Sequence, residues 1–115
     1  MKILGIDYGR SKIGLAVAES SLAEPWKVVA PGEIENILKS EKFDKVVVGI
    51  SEGEMGAESK KFAESIGAET FDETLTSQDA QRMSREAGIP VKKRHEMEDA
   101  YAASIMLQNF LDFSG

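Results

Sequence analysis

Apolar positions in this chain fall into short runs with two different periods. KILGID at residues 2–7 and KIGLAVA at 12–18 read as strands. The four residues between them, YGRS, contain Gly9, which supplies the backbone freedom of a tight reversal, so the two strands should form a hairpin. WKVVA at 26–30 reads as a third strand. Pro31 and Gly32 break the chain before a short helix with Ile34, Ile37 and Leu38 on one face. KVVVGI at 45–50 is a continuous β-branched run, the pattern of a parallel strand buried on both faces. The polar SEGEMG at 51–56 reads as a loop. A helix to about residue 66 follows, with Phe62, Ala63 and Ile66 at helical spacing and Gly67 as its C-terminal cap. ETF is a short strand. Thr76 or Ser77 can cap a helix running to Ala87, which Gly88 and Pro90 end. A last helix is expected over about 98–112.

The order is therefore β-β-β-α-β-α-β-α-α. An antiparallel opening that feeds βαβ units implies an α/β fold, with a mixed central sheet opening on an antiparallel hairpin and flanked by helices. The 115 residues make one domain, 1–115, with no repeat, linker or low-complexity segment.

Charge and composition narrow the function. The formal net charge is −6, which argues against binding nucleic acid by bulk electrostatics. The cations are nevertheless clustered: Lys92, Lys93, Arg94 and His95 form one run, Lys60 and Lys61 another, and Arg10 and Lys12 flank the opening turn. A basic run is either a solvated face or a local phosphate contact. The absence of cysteine excludes disulfides and thiolate zinc sites and fits a reducing cytoplasm. No signal-peptide pattern follows Lys2, and no apolar stretch nears the ~20 residues of a membrane span.

Three acids stand out, at two strand ends and a helix start. Asp99 lies in the middle of the stripe formed by Ala102, Ala103, Met106 and Phe110. An inward carboxylate is costly unless paired. It is either a first-turn acid favoured by the helix dipole or a ligand aimed at a metal. Asp7 shares a strand face with Ile3 and Gly5 and ends what reads as the central strand, where sites in open sheets are built. Its plainer reading is an aspartate that starts a turn. Glu73 follows the ETF strand, and alone it reads as a solvated loop acid. Together, three carboxylates from two strand ends and a helix start suit hard divalent cations and phosphodiester hydrolysis. His95, four residues before Asp99, is either a proton shuttle or phosphate contact, or a plain surface histidine.

GIDYGRSKIGLAVA, VVVGI, DETLTSQDA and KKRHEMEDAYAASIMLQNFLD resemble, in that order and over nearly the whole chain, the motifs of the YqgF/RuvX family of Holliday junction resolvases and pre-16S ribosomal RNA nucleases. The resemblance implies an RNase H-like fold and a nuclease, a hydrolase acting on ester bonds by a two-metal-ion mechanism with Mg2+ or Mn2+. It places the catalytic and metal-binding acids on Asp7, Glu73 and Asp99. It implies branched DNA or structured precursor rRNA as partner, a cytoplasmic role in DNA recombination or ribosome biogenesis, no membrane, and a monomer or homodimer. Arg10, Lys12, Lys92, Lys93 and Arg94 are the expected nucleic-acid contacts. Thr74 stands where the family has an arginine, and the chain is short for the family, trimmed at 19–26 and 51–56.

Two other readings compete. Asp-x-Gly in a strand–turn–strand is also the phosphate hairpin of actin-like ATPases, but those need two such domains and this chain has one such hairpin. A non-catalytic RNase H-like module that binds nucleic acid or a partner fits the acidic charge and Thr74. It gives no reason to gather like charges.

Overall fold

β-branched and small apolar residues set the sheet. The computed structural model describes residues 1–50, 54–72 and 91–114. Its five strands are β1 (Ile3–Asp7), β2 (Ile13–Ala18), β3 (Ala23–Val29), β4 (Lys45–Ile50) and β5 (Glu69–Asp72). They form one sheet in the order β3-β2-β1-β4-β5. β1 pairs antiparallel with β2 and parallel with β4, and β4 pairs parallel with β5. The opening hairpin thus supplies the central strand. The parallel strands β1, β4 and β5 all end at the same edge, which is where Asp7 stands.

Alternation along the strands sorts side chains onto two layers. Leu4, Ile6, Ile13, Leu15 and Val48 are buried on one face, against α1 (Ile34–Ser40) and α2 (Glu54–Ile66). Ile3, Ala16, Ala18 and Val47 are buried on the other, with Ala103, Met106, Leu107 and Phe110 of α3 (Val91–Ser114). Small residues let α3 lie close to the sheet: a Cβ at Gly5 would stand 2.9 Å from Leu107 Cβ.

Three boundaries differ from the sequence expectation. β3 starts at Ala23 rather than Trp26 and runs through Pro25. Proline is tolerated because β3 is an edge strand, and the pairing steps from Leu15↔Lys27 to Ala16↔Pro25 across a bulge. α2 begins at Glu54, inside the expected SEGEMG loop. α3 begins at Val91, so the basic run lies within the helix rather than before it. Helix-favouring Lys, Arg, Glu and Met extend it beyond its apolar stripe. Gly9 is needed for space rather than for a left-handed backbone: a Cβ there would come 2.5 Å from the Lys12 carbonyl oxygen. Among the described residues only Gly67 has positive φ, at 69°. It caps α2 with Ala68 N–H donating to Ala63 O at 2.9 Å and Gly67 N–H to Glu64 O at 3.3 Å, the paired bonds of a Schellman motif. The expected helix over 76–87 lies outside the described residues.

Candidate active site at the C-terminal edge of the sheet

Asp7 ends β1 with Gly14 of β2 on one side and Gly49 of β4 on the other. Register partners project to the same face, so the two positions flanking Asp7 carry no side chain. This is the α3 face. Gly14 lies directly beneath α3: a Cβ built there would collide with the backbone carbonyl of Asp99 and crowd Ala100 N at 2.7 Å. The helix backbone at Asp99 therefore rests on the residue paired with Asp7. Two acids far apart in sequence are brought to one corner of the sheet by a glycine contact.

The position of Asp99 in α3 removes its first-turn reading. It is eight residues in from Val91, beyond the first turn where a helix dipole favours an acid. It is partly buried, and Ala100, Ala102, Ala103, Met106 and Phe110 on the same helix are buried. Burial pushes the Asp99 carboxyl above its ordinary value, the nearby Lys12 charge pulls it back, and Glu98 adds to the rise. A partly desolvated carboxylate on the helix that covers Gly14, the residue paired with Asp7, offers hard oxygen donors at this corner of the sheet.

That elevation has a stability consequence in metal-free protein. The folded state holds its proton more tightly than the unfolded chain. Stability should therefore fall as pH rises from the ordinary aspartate range through the raised folded value, and then level off. Asp99→Asn should remove this loss. Melting temperatures of wild type and Asp99→Asn in chelator should diverge as pH rises from 3 to 8, the variant becoming the more stable. A gap independent of pH would contradict the burial argument.

The other expected residues divide by location. Lys12 is exposed and close enough to act on Asp99 electrostatically. Arg10 sits on the α2 side instead, its Nε donating to Glu58 Oε2 at 3.0 Å and Oε1 at 3.2 Å. This pair holds the Glu58 carboxyl below its usual range. Lys92, Lys93 and Arg94 lie in the opening turn of α3. Lys92 and His95 precede Asp99 by seven and four residues, which places the three positions on one helical stripe. β5 ends at Asp72, and Glu73, the next residue, lies outside the described residues, as does Thr74. Among the described residues no three histidine or acidic side chains form a metal-holding group. No helix among them is long and apolar enough to cross a membrane.

The glycines at 14 and 49 went unnoticed as site residues in the sequence. A glycine inside a strand pattern signals a close backbone approach, so KIGLAVA and VVVGI both carried the signal. Which backbone approaches was not readable from it.

The family model and the sequence relatives agree on one family. A family model described as "RuvX: Holliday junction resolvase" matches residues 1–113. The chain is 32% identical over 137 aligned positions to the "Putative pre-16S rRNA nuclease" of Agathobacter rectalis, covering 98% of this chain and 96% of the relative. It is 30% identical over 134 positions to the protein of the same name from Syntrophus aciditrophicus, covering 97% and 89%. Both alignments are longer than the 115-residue chain, so it carries deletions relative to them. Among solved structures it is similar to Thermus thermophilus RuvC in complex with Holliday junction substrate, with a TM-score of 0.52 and 16% identity over 99% of this chain and 96% of that one. The fold is RNase H-like.

Proposed function

Because the chain belongs to the RuvX family of Holliday junction resolvases, we propose that it is a nuclease hydrolysing phosphodiester bonds in branched DNA or in the 5′ leader of precursor 16S rRNA. The observation that carries this reading is the contact of Gly14 with the Asp99 backbone, which sets Asp99 over the strand end that bears Asp7. The names of the relatives favour the RNA substrate, and the family model and the fold favour the junction.

Asp7, Glu73 and Asp99 would hold the divalent cations, Mg2+ or Mn2+. When bound, such a pair supplies the charge that makes water nucleophilic and stabilises the leaving oxygen. The protein's own part is positional. Asp7 is fixed by pairing on both sides of β1, and Asp99 by a helix anchored along its buried stripe. Gly14 lets the α3 backbone close over one side of Asp7, and Gly49 adds no side chain on the other. Lys12 offers a cation at the same corner.

The opening turn of α3 carries Lys92 and Lys93 and no acid, against the preference of the helix dipole. That placement is unfavourable for an isolated helix and favourable for one whose N-terminal end meets phosphates. Replacing both lysines with alanine should weaken nucleic-acid binding and flatten the plot of log affinity against log salt by about 1 to 2 units. An unchanged slope would make the run a solvated face.

The direct test is cleavage, with manganese, of a labelled four-way DNA junction and of a precursor rRNA 5′ leader. Cutting of either that disappears in Asp7→Asn establishes the nuclease and selects its substrate. Failure to cut both would shift the reading to a non-catalytic binding module. Cytoplasmic location and action as a monomer or homodimer belong to the same proposal.

A further inference from the structure

The opposite face of the same strand end carries a second feature. Tyr8 follows Asp7 and so projects to the α2 side. Its ring stacks on Phe62 of α2, with centroids 4.6 Å apart and planes 30° from parallel. Both rings are partly exposed at the margin of the core. An open cleft of about 400 Å3 lies on one side of the pair, lined by Tyr8, Arg10, Glu58, Lys61 and Phe62. A second of about 440 Å3, also lined by Tyr8 and Phe62, lies against Pro31 and Ile34. The aromatic pair is thus the wall between two clefts at the margin of the core.

The charges around the first cleft are unusual for a chain of net charge −6. Arg10 and Lys61 line it, and Glu58 is the one acid among the described lining residues. Among the described residues Arg10 engages Glu58 through Nε, and its guanidinium carries two further Nη donor groups. Exposed aromatic faces rimmed by cations are what unpaired nucleotides bind: bases stack, and the backbone meets the charges. A continuous duplex buries its base faces and offers nothing to such a wall.

Resting on the nuclease reading, we infer that the Tyr8–Phe62 cleft holds an unpaired nucleotide flanking the scissile phosphate, with Arg10 and Lys61 on its backbone. Adjacent residues at one strand end then serve the two halves of recognition. Asp7 faces the reacting phosphate on the α3 side, and Tyr8 faces the neighbouring base on the α2 side. The substrate class is nucleic acid with single-stranded character at the cut, as at a branch point or an unfolded leader.

The test measures binding without cleavage, in Asp7→Asn protein without metal. The probes are a short single strand carrying 2-aminopurine and the blunt duplex of the same sequence. The single strand should bind more tightly than the duplex, and its fluorescence should be quenched by stacking. Tyr8→Leu and Phe62→Leu should each weaken single-strand binding about 5- to 100-fold and relieve the quenching, while Tyr8→Phe keeps both. Lys61→Ala, at an exposed position, should weaken binding with quenching retained, and it serves where a leucine variant fails to fold. Equal binding of strand and duplex, or quenching that persists in folded Tyr8→Leu, overturns the inference. Wild-type cleavage with manganese, run in parallel, keeps the two readings apart. Cutting without aromatic dependence removes only the cleft, and aromatic-dependent binding without cutting removes only the nuclease.

Discussion

Asp7→Asn is expected to lower cleavage by at least ~10³-fold while leaving the fold intact. Changes to groups that merely support a metal ligand cost 10- to 100-fold, so removing the charge of Asp7 in its proposed role as ligand should cost more. A 10³-fold loss corresponds to about 4 kcal/mol of transition-state stabilisation. The substitution keeps size and shape at the end of a strand paired on both sides. Metal-free protein should therefore be as stable as wild type or more so. Single-turnover cleavage and thermal melting of the same samples check both halves. Full cleavage by a folded Asp7→Asn protein would remove Asp7 from the chemistry, and a collapsed fold would make its role structural.

Gly14→Ala should be nearly as damaging by a different route. The added methyl has no space, because it would overlap the backbone of Asp99 rather than a flexible side chain. Overpacking a core commonly costs about 1–3 kcal/mol, and here the yielding element must be α3 itself. Since α3 carries Asp99, any shift that relieves the overlap also displaces that carboxylate from Asp7. A displacement of ~1 Å at a catalytic group can cost about 10²-fold in rate. Melting temperature and cleavage should therefore fall together in this variant. In Asp7→Asn only cleavage falls. Retained cleavage in a destabilised Gly14→Ala protein would show that α3 can move without carrying Asp99 out of place.

Contact between distant segments is where the sequence and the structure part company. Arg10 and Lys12 read alike beside Asp7, as paired cations on one turn. In the fold they serve opposite faces, Arg10 bound to Glu58 of α2 and Lys12 acting on Asp99 of α3. Asp99 was legible as an inward acid from its stripe alone, but its first-turn reading failed because the helix extends back to Val91. The apolar stripe marks where a helix must pack, and helix propensity carries it further.

What the chain by itself determined was local. The β-branched run of β4, the hairpin turn at Gly9, the cap at Gly67 and the apolar stripe of α3 follow from short-range sterics and periodicity, which nearby residues specify. The resemblance to the family added the expectation that Asp7, Glu73 and Asp99 act together. Only the tertiary structure decided which backbone lies against which strand: that Gly14 sits between Asp7 and Asp99, that Gly49 keeps the other side of Asp7 bare, and that Tyr8 meets Phe62. Those contacts join segments far apart in sequence. They are set by sheet pairing and by how closely a helix can approach a glycine, neither of which a local pattern contains.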